Sequence, residues 1–121
     1  MKTALDPRHI KREKAVKALF ASSFGENKNI KNDLAKKILK SGEKIDQVIT
    51  EVAPEWPINQ INKIDLAILR LAIYELIISP KEPGKVIIDE AVELGKKYGS
   101  ESTFSFINGV LGTILSRKSK K

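Results

Sequence analysis

Apolar residues recur at helical spacing along almost the whole chain. Val16, Leu19, Phe20 and either Ser23 or Phe24 form a first inward stripe, and Ile30, Leu34, Ala35, Ile38 and Leu39 form a second. Ile45, Val48, Ile49 and Val52 follow at i, i+3, i+4 and i+7, the spacing of a third helix. The punctuation agrees with these stripes. Asp6-Pro7 is a helix start, with Asp able to cap and Pro preset for the first turn. Gly25 is placed to stop that helix after about Phe24, Ser41-Gly42 closes the second, and Pro54 closes the third. Short connections between three such helices predict a small antiparallel bundle.

Beyond Pro54 the pattern changes. The connector PEWPINQIN holds two prolines and Trp56, which either packs as a lid over the core or offers a recognition surface; the lid is the expectation. Residues 62–79 (NKIDLAILRLAIYELIIS) are apolar on nearly every face except at Asp65, Arg70 and Glu75. A helix of that kind is buried on several sides and predicts the central post of the fold. Ser79-Pro80 and Pro83-Gly84 break it. Val86, Ile87, Ala91 and Leu94 then mark a helix ending at Lys96-Lys97-Tyr98-Gly99, with cations in its last turn and glycine beyond. Ser100 or Ser102 opens a last helix whose stripe is Phe106, Ile107, Val110, Leu111, Ile114 and Leu115. No alternating run suggests a sheet. The expected fold is all-α, six to seven helices in two small bundles sharing the central helix, a single domain over residues 1–121.

Composition narrows the chemistry. With 41% apolar and 31% charged residues among 121, a packed core is expected rather than disorder. There is no cysteine, which excludes a thiolate nucleophile, a disulfide scaffold and any cysteine metal site. A single histidine, His9, excludes a zinc site built mainly of imidazoles. The most apolar stretch, residues 66–78, is too short and too interrupted by Arg70 and Glu75 to span a bilayer, and no secretory signal opens the chain. A cytoplasmic protein without a membrane partner is expected. The net charge of +7 is uneven: residues 1–17 carry +4, residues 117–121 carry +4, and the 99 between them carry −1. A nearly neutral body with two basic ends suggests a polyanionic partner.

Constellations for catalysis are thin. Asp89, Glu90 and Glu93 lie one turn apart, but no further ligand set supports a metal pair, and a solvated helix face is expected. The glycines at 95, 99, 109 and 112 form no phosphate loop, and Gly109 inside a helix suggests close approach of another helix. Binding has more support. Arg8, Lys11, Arg12 and Lys14 crowd the start of the first helix, where cations oppose the macrodipole. They are either a solvated face or a set that neutralises phosphates. Ser102, Ser105 and Asn108, beside Phe104 and Phe106, could hydrogen-bond and stack with unpaired bases. No pair of helices has the short turn of a helix-turn-helix.

Several of these segments together resemble a known family. Asp65-Leu-Ala-Ile-Leu-Arg-Leu-Ala-Ile-Tyr-Glu-Leu76 is similar to the central-helix signature of the NusB transcription antitermination factors. Residues 83–99 resemble the helix that follows it, and Phe106-Ile-Asn-Gly-Val-Leu111 resembles that family's Phe-Val-Asn-Gly-Val-Leu motif. Arg8 and Arg12 ahead of Ala15 and of Ala-Leu-Phe at 18–20 complete the match, in order and over nearly the whole chain. The resemblance implies two three-helix subdomains packed across each other and no enzymatic activity or cofactor. It also implies binding of single-stranded boxA-type RNA with a small-subunit ribosomal protein, NusE, so that RNA polymerase and other antitermination factors are engaged indirectly during ribosomal RNA synthesis. Carried over, the RNA surface would hold Arg8, His9, Arg12, Ser102 and Phe106, with Lys2 and Lys11 added from charge and position. The protein-partner surface would hold Asn59, Asp65 and Lys85. Ser102 stands where an aspartate is common, and Phe20 where a tyrosine is frequent. Two other functions fit parts of the pattern: the helical domain that precedes a catalytic domain in some ribosomal RNA methyltransferases, and a protein-interaction module with no RNA role.

Overall fold

The structure, a computed structural model, describes residues 6–25 and 30–119. Six α-helices follow one another in that part of the chain: α1 (Pro7–Ser22), α2 (Asp33–Lys40), α3 (Gly42–Val52), α4 (Lys63–Ile73), α5 (Gly84–Tyr98) and α6 (Glu101–Ser119). A 3-10 turn, Ile58–Gln60, precedes α4, and a π turn, Tyr74–Ile78, continues it. The predicted punctuation is seen at the helix ends. Asp6 accepts from the Arg8 amide at 2.8 Å with Pro7 in the first turn, and Gly25 takes a φ of +91° just beyond α1. Two caps not singled out from the sequence are also present: Asn32 caps α2 and Asn62 caps α4, each accepting an amide of the first turn.

Helix α4 is the post that the sequence predicts. Leu66 to Leu69 and Leu71 to Ile73 are buried, and α4 packs on each of the other five helices. Helices α1–α3 form one group against it, α1 touching α2 and α2 touching α3, while α5 and α6, in close contact with each other, complete the second group of three. Full burial of a leucine or isoleucine side chain contributes about 1.5–3 kcal/mol, so this strip of α4 carries much of the core energy. Arg70, the cation in the strip, is held by Asp46 of α3 in a two-pronged pair at 3.0 and 2.8 Å, which joins α3 to α4.

Three expectations are corrected. Phe24 is not in the inward stripe: it is 60% exposed, with its ring edge-on to Phe20 at 5.1 Å. Trp56 is less of a lid than expected, since it is 49% exposed and touches Phe106 edge-on at 5.9 Å. Among the described residues a Cβ on Gly109 would meet nothing within 4 Å, so the close helix contact expected there is not made. The close α5–α6 contact is made elsewhere. A Cβ on Gly95 would lie 3.3 Å from Ile107 and 3.4 Å from the Phe104 backbone, and one on Gly99 would lie 2.5 Å from Thr103.

Candidate nucleic-acid interface

The amino-terminal half of α1 sorts its charges by face. Arg12 shares a stripe with Ala15, Val16 and Leu19, so the packing that buries those side chains also buries Arg12, which is 6% exposed. Its guanidinium donates to both oxygens of Glu75 (Nε to Oε1 at 2.8 Å, Nη2 to Oε2 at 2.7 Å), contacts Glu82, and lies 3.4 Å from Glu90. Burial opposes the charge, but hydrogen bonds and attraction from Glu75, and then from Glu82, outweigh it and hold the Arg12 pKa above that of ordinary arginine. His9 Nδ1 meets Glu90 Oε1 at 3.1 Å. Glu90 is only 3% exposed, which corrects the solvated face expected for it; Asp89 and Glu93 are exposed.

The outward face is different. Arg8 is exposed and shared between Asp6 and Glu82, at 3.5 and 2.9 Å. Lys11 and Lys14 are exposed, and among the described residues neither is in an ion pair. The cations at the start of α1 therefore have two explanations. Arg12 is retained by three carboxylates from the other subdomain, while Arg8, Lys11 and Lys14 present charge to solvent. Lys2 lies outside the described residues.

The remaining expected RNA contacts lie elsewhere. Ser102 is exposed at the start of α6, its hydroxyl 2.9 Å from that of Ser100, and Phe106 is half-buried against Trp56. Arg8 is held near the start of α5, whereas Ser102 follows its end. The 15 residues of α5 set these two groups apart by about 20 Å. The groups expected to face phosphates and those expected to face bases thus form two patches rather than one.

Of the expected partner residues, Asn59 is exposed in the 3-10 turn and Lys85 is exposed in the first turn of α5. Asp65 is buried instead: one carboxylate oxygen has no hydrogen-bond partner, and burial raises its pKa against the partial relief offered by the Thr103 side chain. Asp65 lies at the end of the molecule where α6 begins, against the Thr103 side chain, and Lys85 is at the other end of α5. An apolar recess of about 570 Å³ adjoins that first end, lined by Phe20, Phe24, Ile64 and Tyr98 with Lys17 and Lys63 on its rim.

Sequence reasoning missed a groove of about 380 Å³ between α1, α2 and the α4–α5 connector. Lys11, Lys37 and Lys81 border it, with Leu34 and Tyr74 also in its lining. The three lysines come from three separate elements, so no local motif announces them.

Comparison with known proteins agrees with the fold and motifs. Residues 21–116 match the NusB family. Over 75 residues the chain is 52% identical to the transcription antitermination protein NusB of Roseiflexus sp. (strain RS-1), a match covering 60% of this chain and 53% of that protein. The chain thus spans about half the length of such curated relatives. The T. maritima NusB structure superposes with a TM-score of 0.82 at 31% identity, covering 94% of this chain and 92% of that one. A complex of antitermination factors NusB and NusE with dsRNA contains a chain that matches with a TM-score of 0.75 at 30% identity, covering 93% of this chain and 99% of its own length.

Proposed function

Since the chain belongs to the NusB family, we propose that it is an RNA-binding transcription antitermination factor. It takes boxA-type single-stranded RNA together with the ribosomal protein NusE and supports ribosomal RNA transcription. The observation that carries the proposal is the exposed basic face of α1. Arg8, Lys11 and Lys14 oppose the helix dipole, and Lys11 and Lys14 pair with no carboxylate among the described residues, so helix stability does not account for them. Phosphates would neutralise them with release of counterions.

In this mechanism Arg12 contacts no RNA. It holds Glu75, Glu82 and Glu90, which would otherwise repel the phosphates approaching α1, and so keeps the basic face net positive. His9, against Glu90, belongs to the same underlayer. Ser102 and Phe106, at the far patch, supply a hydroxyl and a ring edge for unpaired bases. Asn59 and the apolar recess beside Lys63 are the surface offered to NusE, with Asp65 beneath it and Lys85 outside it. A solved relative in complex with NusE and dsRNA supports the choice of partners.

A fluorescence titration tests the function: labelled boxA-type RNA against a scrambled control, with and without NusE. Tighter binding of the boxA-type RNA when NusE is present is the expected result. Equal, weak binding of both RNAs with NusE present would overturn it.

A further inference from the structure

Three cations without a counter-charge converge on one groove. Lys11 comes from α1, Lys37 from α2 and Lys81 from the α4–α5 connector; all are exposed, and none is in an ion pair among the described residues. Glu75 and Glu82 also line the groove, but their carboxylates are held by Arg12 and Arg8. The unbalanced charge in the groove is therefore that of the lysines. Cations gathered around a concave, partly apolar surface focus the potential and favour an anion there.

The groove also carries an aromatic ring. Tyr74 is half-buried and opens the π turn, whose Ser79 amide donates to the Tyr74 carbonyl at 2.9 Å, five residues back. Such widened turns recur at functional sites. Here the turn carries Glu75, the principal partner of Arg12, immediately after Tyr74 in the groove lining. A ring beside converging cations is the arrangement that takes a base and its flanking phosphates.

We propose that this groove holds a segment of single-stranded RNA, with Lys37 and Lys81 on successive phosphates and a base against the Tyr74 ring. The groove extends the RNA path off α1 across α2 and the connector, and it rests on the RNA-binding function proposed above. An acidic peptide would satisfy the lysines but would leave the stacking ring unused.

The test is a titration of the full chain with labelled single-stranded boxA-type RNA over a series of salt concentrations. Removing two phosphate contacts in K37Q/K81Q flattens the dependence of log K on log salt by about 1.4, at roughly 0.7 per phosphate on a single strand. Tyr74→Leu weakens binding roughly five- to a hundred-fold with the slope unchanged, and Tyr74→Phe restores it. Lys44→Gln, an exposed lysine on α3, leaves both quantities unaltered, and thermal melts establish that each variant is folded. If K37Q/K81Q titrates like the parent while Arg8→Gln weakens binding, the groove assignment is overturned and the RNA function stands. If the parent binds no RNA, the function falls and the groove falls with it. If RNA binding is unaltered but K37Q/K81Q loses affinity for a labelled glutamate-rich peptide, the groove takes an acidic protein and the proposal is overturned.

Discussion

Arg12 illustrates why a buried cation can persist on a helix whose dipole it opposes. The macrodipole costs a few tenths of a kcal/mol, whereas a buried, two-pronged guanidinium–carboxylate pair loses about 3 kcal/mol or more when one partner is removed. Glu75 accepts both prongs, and Glu82 and Glu90 crowd the other nitrogens. Arg12→Met therefore destabilises the protein by about 3 kcal/mol, because Glu75 loses the guanidinium that neutralises it, while Glu82 keeps Arg8 and Glu90 keeps His9. In calorimetric melts, adding Glu75→Gln to Arg12→Met recovers part of the deficit, since it removes the charge left without its partner. A deficit that Glu75→Gln leaves unaltered would mean that lost packing dominates. The same charge on Arg8 or Lys11, in water, would contribute little to stability.

At the scale of elements, glycines report which helix faces touch. Gly109 stands in mid-helix with nothing near its missing Cβ, so it only adds backbone freedom. Gly109→Ala is expected to stabilise by about 1 kcal/mol, read from the urea midpoint. Gly99 follows α5, where a Cβ would strike the Thr103 side chain. Gly99→Ala is expected to destabilise by about 1–3 kcal/mol, because Thr103 also accepts from the Ser100 amide at 3.0 Å and cannot move freely. The motif containing Gly109 was legible in the chain, but its packing was not. A glycine required by a neighbour and a glycine merely tolerated look alike in sequence.

At the scale of the whole molecule, the response of stability to pH combines groups of opposite sign. Glu13 accepts from Lys97 at 2.5 Å and from Tyr98 at 2.7 Å, and these bonds lower its pKa below the ordinary value. Its contribution is present above the ordinary glutamate range and is lost as pH falls through the lowered value. Asp65 acts in reverse. Burial raises its pKa above 3.8, so between that value and the raised one the folded state holds more protons than the unfolded, and stability falls as pH rises. Asp65→Asn is therefore more stable than the parent at neutral pH, and the advantage disappears as pH drops to the ordinary aspartate range. Denaturant titrations at several pH values measure this, and an advantage that persists in acid would assign the gain to packing. The net +7 likewise resolves only in three dimensions. Part of the amino-terminal share is neutralised inside the protein, part faces solvent, and Lys37 and Lys81 from the nearly neutral middle join it at the groove.

The chain by itself determines the helices, the Asp6 cap and the buried central post. Apolar spacing and capping act within a few residues, so they can be read locally. Tertiary structure alone decides which cations are free. The Arg12 and Glu75 side chains meet across 63 positions of sequence, and the groove lysines across three elements. Pairing between charges depends on distance in space, which hydropathy patterns do not encode. Two arginines four residues apart on one helix, identical in sequence terms, end with different roles: Arg12 under the surface and Arg8 on it.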